Sequence, residues 1–175
     1  MIKKDIKTLS EYGVEYIRVF PNWRDFQPVM PVMKEFGMHA LYCLEGERKP
    51  ENPYYLDEVM LDRFGSFLDI CKKYGIKVIV GLITGYMSGR LYVPSALYGK
   101  NVITDPTAQY FEQLFIKGFV ERFKEREIIY AWDLGNECNC MSKIEDTGEY
   151  TACDVSTSWV YMISNAIRSA DNTRP

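Results

Sequence analysis

Glu137 closes an apolar run, Ile128-Ile129-Tyr130-Ala131-Trp132-Asp133-Leu134-Gly135, with Asn136 between the two. The run reads as a strand buried on both faces, which places it in a parallel α/β sheet. Sheets of that kind put their ligands at the carboxyl ends of the strands. A carboxylate at that point, with an amide beside it, suits general acid/base chemistry. Side chains alternate along a strand, so Ala131, Asp133, Gly135 and Glu137 are expected on one face and Trp132 and Leu134 on the other. Asp133 would then lie deeper on the side of Glu137, to tune it or anchor a neighbour. Asn136, at the frayed strand end, stays within reach of a substrate hydroxyl.

Arg18 stands near the end of an earlier strand, Glu15-Tyr16-Ile17-Arg18-Val19-Phe20, stopped by Pro21. Its fork of donors could hold a carboxylate ionised. Asn22, Trp23, Tyr86 and Arg90 fall just past strand ends, where rings and hydrogen-bond donors would grip a flat polyhydroxylated substrate. Each candidate also has a plainer reading. Glu137 could be a surface carboxylate, Arg18 an ion-pair partner of Asp133, and Trp23, Tyr86 and Arg90 packing residues. Cys138, Cys140 and Cys153 with the single histidine, His39, make a poor zinc set, because a Cys-x-Cys pair lacks the usual ligand gap. No metal or organic cofactor is indicated.

The elements that must position these residues alternate between helix and strand. Lys3 to Tyr12 reads as a helix ended by Gly13, and Asp57 to Tyr74 as one capped by Asp57 and ended by Gly75. The second carries Leu61, Phe64, Leu68, Cys71 and Tyr74 at helical spacing. Ile76 to Leu82 is the next strand. Pro106 behind Asp105 opens a helix striped with Phe111, Leu114, Phe115, Phe119 and Phe123. After Glu137 a polar loop leads to a last helix with Trp159, Met162, Ile163, Ala166 and Ile167 on one face. Phe26 to Glu51 is expected to be an extended loop with room for one short helical or strand piece. Helices hand over to strands within a few residues, while the segments after strands are long and rich in Trp, Tyr, Asn and Arg. That asymmetry marks the functional face of a barrel or doubly wound sheet.

Composition narrows the function classes. The chain has 175 residues and a net charge of −3, which argues against nucleic acid or an anionic membrane as partner. Its longest apolar stretch, Ile76 to Ile83, is far shorter than the roughly 20 residues of a bilayer span. The first residues show no apolar signal core, and five cysteines are an odd count. Both point to a reduced, cytoplasmic setting for this stretch, although a longer parent could be secreted.

At these residues the chain resembles the retaining glycoside hydrolases built on a (β/α)8 barrel, glycoside hydrolase family 5 most of all, and within it the mannanase-like members. The resemblance rests on Trp132-Asp133-Leu134-Gly135-Asn136-Glu137 at the end of strand four and on Ile17-Arg18-Val19-Phe20-Pro21-Asn22-Trp23 at strand two. It implies that Glu137 is the general acid/base, that Asn136 hydrogen-bonds the sugar 2-hydroxyl and that Arg18 is the buried arginine supporting the nucleophile. The nucleophile, a strand-seven glutamate in the family, has no counterpart in this sequence. Strand three reads Val80-Gly81-Leu82-Ile83-Thr84-Gly85-Tyr86, without the histidine many members carry there, a departure from the cellulase branch.

The expectation is therefore a single partial (β/α)8 domain over residues 1–175, holding strands two to four, since a whole barrel takes about 250 residues. It would act on a β-linked poly- or oligosaccharide by double displacement, mannan ahead of glucan, yet be inactive alone for want of the second carboxylate. Two other classes stay open. A carbohydrate-binding pseudo-enzyme would keep oligosaccharide affinity after Glu137→Ala. A structural half-barrel would need a partner segment and would self-associate through open strand edges.

Overall fold

The computed structural model describes residues 1–36, 39–45, 51–84, 86–141 and 150–175, without the side chains of 32–36, 39–45 and 91. In chain order the elements are α1 (Ile2–Glu11), β1 (Tyr16–Val19), α2 (Trp23–Phe26), β2 (Met30–Phe36), β3 (His39–Glu45), α3 (Glu58–Tyr74), β4 (Lys77–Ile83), β5 (Tyr86–Met87) and β6 (Arg90–Leu91). A 3-10 turn (Ser95–Leu97), α4 (Pro106–Phe123), β7 (Ile129–Gly135), α5 (Cys138–Met141) and α6 (Cys153–Ala170) follow.

Local chemistry sets the helix ends where the sequence places them. The Asp57 carboxylate accepts from the Met60 amide at 2.8 Å, and Gly75 closes α3 at φ +70. Asp105 accepts from the amides of Thr107 and Ala108, with Pro106 in the first turn of α4. Each cap satisfies donors that the first helical turn leaves orphaned.

β1, β4 and β7, the expected strands two, three and four, form one parallel sheet in the order β1-β4-β7. Arg18 pairs with Ile79, Gly81 with Asp133 and Ile83 with Gly135. Helices cover one face. Val78, Val80 and Leu82 are wholly buried on that side, with Leu68, Phe115, Phe119 and Ile163. Phe26, Phe64, Phe119 and Phe123 stack there with ring centroids 4.9–6.0 Å apart. The other face is open among the described residues. Tyr16 and Tyr130 are exposed there, with their rings 4.9 Å apart and the Lys77 ammonium about equally close to both. The expectation of a strand buried on both faces thus fails for β7: a single helical layer leaves Tyr130 45% exposed.

The loop expected over Phe26 to Glu51 is also corrected. α2 ends at Phe26, and β2 and β3 pair antiparallel from Met30 opposite Glu45 to Phe36 opposite His39. The side chains of His39 and Cys43 lie outside the described residues, as does Gly85. A second, smaller hairpin, β5–β6, follows β4.

Candidate active site

β7 ends at Gly135, and the chain then turns sharply. A Cβ on Gly135 would stand 2.1 Å from the carbonyl oxygen of Ile83, so only glycine lets the two strands close here. The Asn136 amide donates to that same carbonyl at 3.2 Å. Glu137 takes a left-handed backbone, φ +47, and α5 starts behind it. The strict alternation that would carry Glu137 onto the face of Asp133 stops at Gly135.

Arg18 ties the strand ends together. Its guanidinium forms an ion pair with Asp133, donates to the carbonyl of Gly135 at 2.8 Å and reaches the Asn136 amide oxygen at 3.5 Å. It lies 4.5 Å from the centre of the Phe20 ring. Phe20 in turn fits against β4 because Gly81 has no side chain, since a Cβ there would meet the ring at 2.7 Å. Asp133 also accepts from the Gly135 amide at 3.3 Å. Arg18 is not the buried arginine that the resemblance implies, as its side chain is 44% exposed on the open face.

Asn136 donates through Nδ2 to the carbonyl of Tyr86 at 3.0 Å, and the Glu137 Oε2 accepts from the Ser88 amide at 3.2 Å. The β5–β6 hairpin therefore holds both residues of the Asn-Glu pair. Arg18, Asp133, Asn136 and the Tyr86 carbonyl form one hydrogen-bonded set, and Glu137 is tied to it through the hairpin by the Ser88 amide. Glu137 is exposed. The surface grooves lined by Lys124 and Arg174 and by Asp69 and Arg126 do not include it.

The remaining candidates divide. Arg90 is exposed on β6, opposite Met87. Asn22 sits before α2 and donates to Asp25 at 3.2 Å. The Tyr86 ring packs partly against the core, so its main gift to the set is its carbonyl. Trp23 is corrected: it is wholly buried, donates to Gln27 at 2.8 Å and lies 6.3 Å from the Phe115 ring. A ring with no exposed face cannot stack on a sugar. Helical spacing explains the error, because the first turn of α2 directs Trp23 inward.

Sequence reasoning missed Ser88, whose role is played by its backbone; the Ser88-Gly89 dipeptide was the available turn signal. It also missed Arg24, which lies 5.4 Å from the Tyr92 ring and whose pKa is raised by hydrogen bonding to Tyr98 and Asp25. Beside Glu137, burial and then the charge of Asp133 push the Cys138 thiol up to about 11. It stays a thiol at neutral pH and is a poor nucleophile. Among the described residues no group of three or more His, Cys, Asp or Glu could hold a metal ion. None of the described helices is long and apolar enough to cross a membrane.

The mannan endo-1,4-β-mannosidase F of Aspergillus clavatus is 29% identical to the chain over 115 residues, 63% of this chain and 24% of the relative. The mannan endo-1,4-β-mannosidase A of Aspergillus aculeatus is 29% identical over 121 residues, 64% of this chain and 29% of the relative. The chain thus spans roughly a quarter of the length of the curated relatives it matches. Among solved structures, the exo-β-1,4-mannosidase Op5Man5 of Opitutaceae bacterium strain TAV5 superposes with a TM-score of 0.76 at 22% identity, covering 98% of this chain and 26% of that one. A GH5_18 protein from Streptomyces cattleya in complex with GlcNAc gives 0.77 at 18%, covering 99% and 37%. Such identities speak for the fold, a partial (β/α)8 barrel. The family model described as cellulase (glycosyl hydrolase family 5) matches residues 3–175, and the chain belongs to that family.

Proposed function

We propose that residues 1–175 form a single partial catalytic domain carrying the acid/base half of a retaining hydrolase for β-linked mannan, with glucan second. The observation that supports this most is the Asn136-Glu137 pair, pinned at a parallel strand end beside an Arg18–Asp133 ion pair. Glu137 protonates the leaving glycosidic oxygen while a second carboxylate, absent from these residues, attacks the anomeric carbon. Glu137 then takes a proton from water as water displaces that carboxylate. In this reading Asn136 donates the amide hydrogen left over from its bond to Tyr86 to the sugar 2-hydroxyl. Arg18 holds Asp133 and Asn136 in place, and Asn22, Tyr86 and Arg90 line the approach. The resemblance to mannosidases supports mannan as the substrate class.

The purified chain should bind mannotriose and should not turn over an aryl β-mannoside. Turnover that Glu137→Gln abolishes would show that the nucleophile is already present. Oligosaccharide affinity unchanged by Glu137→Ala would favour a binding module instead. The outer edge of β1 has no strand partner among the described residues, and unpaired edges recruit other strands. We therefore expect self-association with a second copy; a monodisperse monomer in sedimentation velocity at high concentration would rule it out.

A further inference from the structure

We infer that the β5–β6 hairpin is a backbone clamp on the acid/base and that it decides which oxygen of Glu137 carries the proton. The inference rests on Glu137 as acid/base but makes a separate claim. Ser88 and Gly89, at φ +52 and +77, form the two-residue connection between Met87 and Arg90. Positive φ at both central residues is the conformation whose twist matches antiparallel strands. It aims the Ser88 amide at Glu137 Oε2, 3.2 Å away. Two residues earlier the Tyr86 carbonyl accepts from Asn136 at 3.0 Å. One rigid turn thus grips adjacent residues from opposite polarity, a donor on Glu137 and an acceptor on Asn136. Glu137 cannot lean on its own strand for this, because it lies beyond the end of β7 with a left-handed backbone.

An amide hydrogen on Oε2 satisfies that oxygen as an acceptor. A carboxyl proton on the same oxygen would compete with it, so the proton of the acid form belongs on Oε1. In the first step the Oε1 proton passes to the glycosidic oxygen, which keeps the electron pair of the breaking bond, while the second carboxylate bonds the anomeric carbon. In the second step Oε1 takes a proton from water as the water oxygen bonds that carbon and the carboxylate departs. Oε2 stays on Ser88 throughout. Ser88 is a positioning residue that acts through its backbone.

Nuclear magnetic resonance of the 175-residue chain tests this without turnover. The Ser88 amide proton should titrate in step with the Glu137 side-chain carboxyl carbon, and Glu137→Gln should remove that step. The amide temperature coefficient should stay low at both ends of the titration, because Oε2 accepts in both states. Gly89→Val, which opposes the left-handed turn, should lose the step, and Ser88→Asn, which suits it, should keep it. A pH-independent Ser88 amide, or a step that survives in Glu137→Gln or Gly89→Val, overturns the clamp. A temperature coefficient that becomes solvent-like at acid pH puts the proton on Oε2 and overturns the oxygen assignment. If Gly89→Val fails to fold, the comparison with Glu137→Gln still decides. Mannotriose added to the same samples probes the functional reading by itself: no shift at Asn136 or Glu137 would sink that reading and leave the clamp standing.

Discussion

Gly135 and Gly81 occupy neighbouring strands near one network, but they answer to different physics. At Gly135 an added Cβ meets the main-chain oxygen of Ile83, which cannot turn aside without unpairing β4 from β7. At Gly81 it meets the Phe20 ring, which can rotate away at the loss of its contact with Arg18. Gly135→Ala is therefore expected to cost about 3 kcal/mol and Gly81→Ala about 1 kcal/mol, within the usual range for overpacking. Urea unfolding of both variants checks the order, and equal costs would mean the strands do not approach so closely. The place of Asn136 and Glu137 past a strand end, and of Arg18 on a neighbouring strand, was legible because each is a polar residue in or just beyond an apolar run. Trp23 was misread for a related reason. An aromatic just past a strand looks the same on paper whether it faces a ligand or the core, and only the helical turn of α2 decides. The exposure of Glu137 was not legible either, since shelter at a barrel mouth comes from distant elements.

At the scale of elements, α3 and α4 were readable almost to the residue. Asp57, Gly75, Asp105 and Pro106 act within one helical turn, and local hydrogen bonds suffice to place them. The hairpins were not. β2 and β3 lack the Asn-Gly or Asp-Gly pair that most strongly signals a hairpin, and β5 and β6 have two residues each. The stripe of α4 was read correctly, but its neighbour Glu112 was overlooked. α6 packs across that face, so Glu112 is fully buried, with Oε2 accepting from Trp159 at 2.9 Å and Oε1 unpartnered among the described residues. Burial raises its pKa well above the usual glutamate value, and the Trp159 bond only partly opposes this. A carboxyl with a raised folded-state pKa is held protonated by the fold. Its contribution is intact below the unfolded value of about 4.3 and erodes as pH rises toward the folded one. Glu112→Gln, which mimics the protonated group, should match the parent near pH 4 and exceed its stability by about 1 kcal/mol or more at pH 7. Chemical denaturation at the two pH values measures this. A difference that does not grow with pH would mean Glu112 is not the neutral group argued here.

At the scale of the whole molecule, the helical layer must be fastened to the sheet, and Asp171 is one point where it is. The residue follows α6, is 5% exposed and accepts from Trp132 Nε1 on β7 at 2.8 Å. Its other oxygen accepts from the Thr173 amide and hydroxyl at 2.9 and 2.6 Å, and Arg174 forms an ion pair with it while donating to the Ile129 carbonyl at 2.9 Å. The chain then lies along β7, with the Pro175 carbonyl accepting from the Trp132 amide at 3.1 Å. Burial alone would push the Asp171 carboxyl up, but the bonds from Thr173, Trp132 and Arg174 outweigh it and hold the group well below the usual carboxylate range. With a depressed folded-state pKa, the unfolded chain takes up the proton first as pH falls. The contribution of Asp171 is then complete above the unfolded value of about 3.9 and drains away below it. Asp171→Asn removes the charge that Arg174 and Trp132 face, and should cost about 3 kcal/mol at pH 7, in line with breaking a buried pair. Near pH 3 the parent has begun to lose the same interaction, so the gap between the two proteins should narrow. Urea unfolding followed by tryptophan fluorescence reports it directly, because Trp132 sits at the joint. A cost that is the same at pH 3 and pH 7 would show that the helix-to-sheet fastening does not depend on the ionised carboxylate.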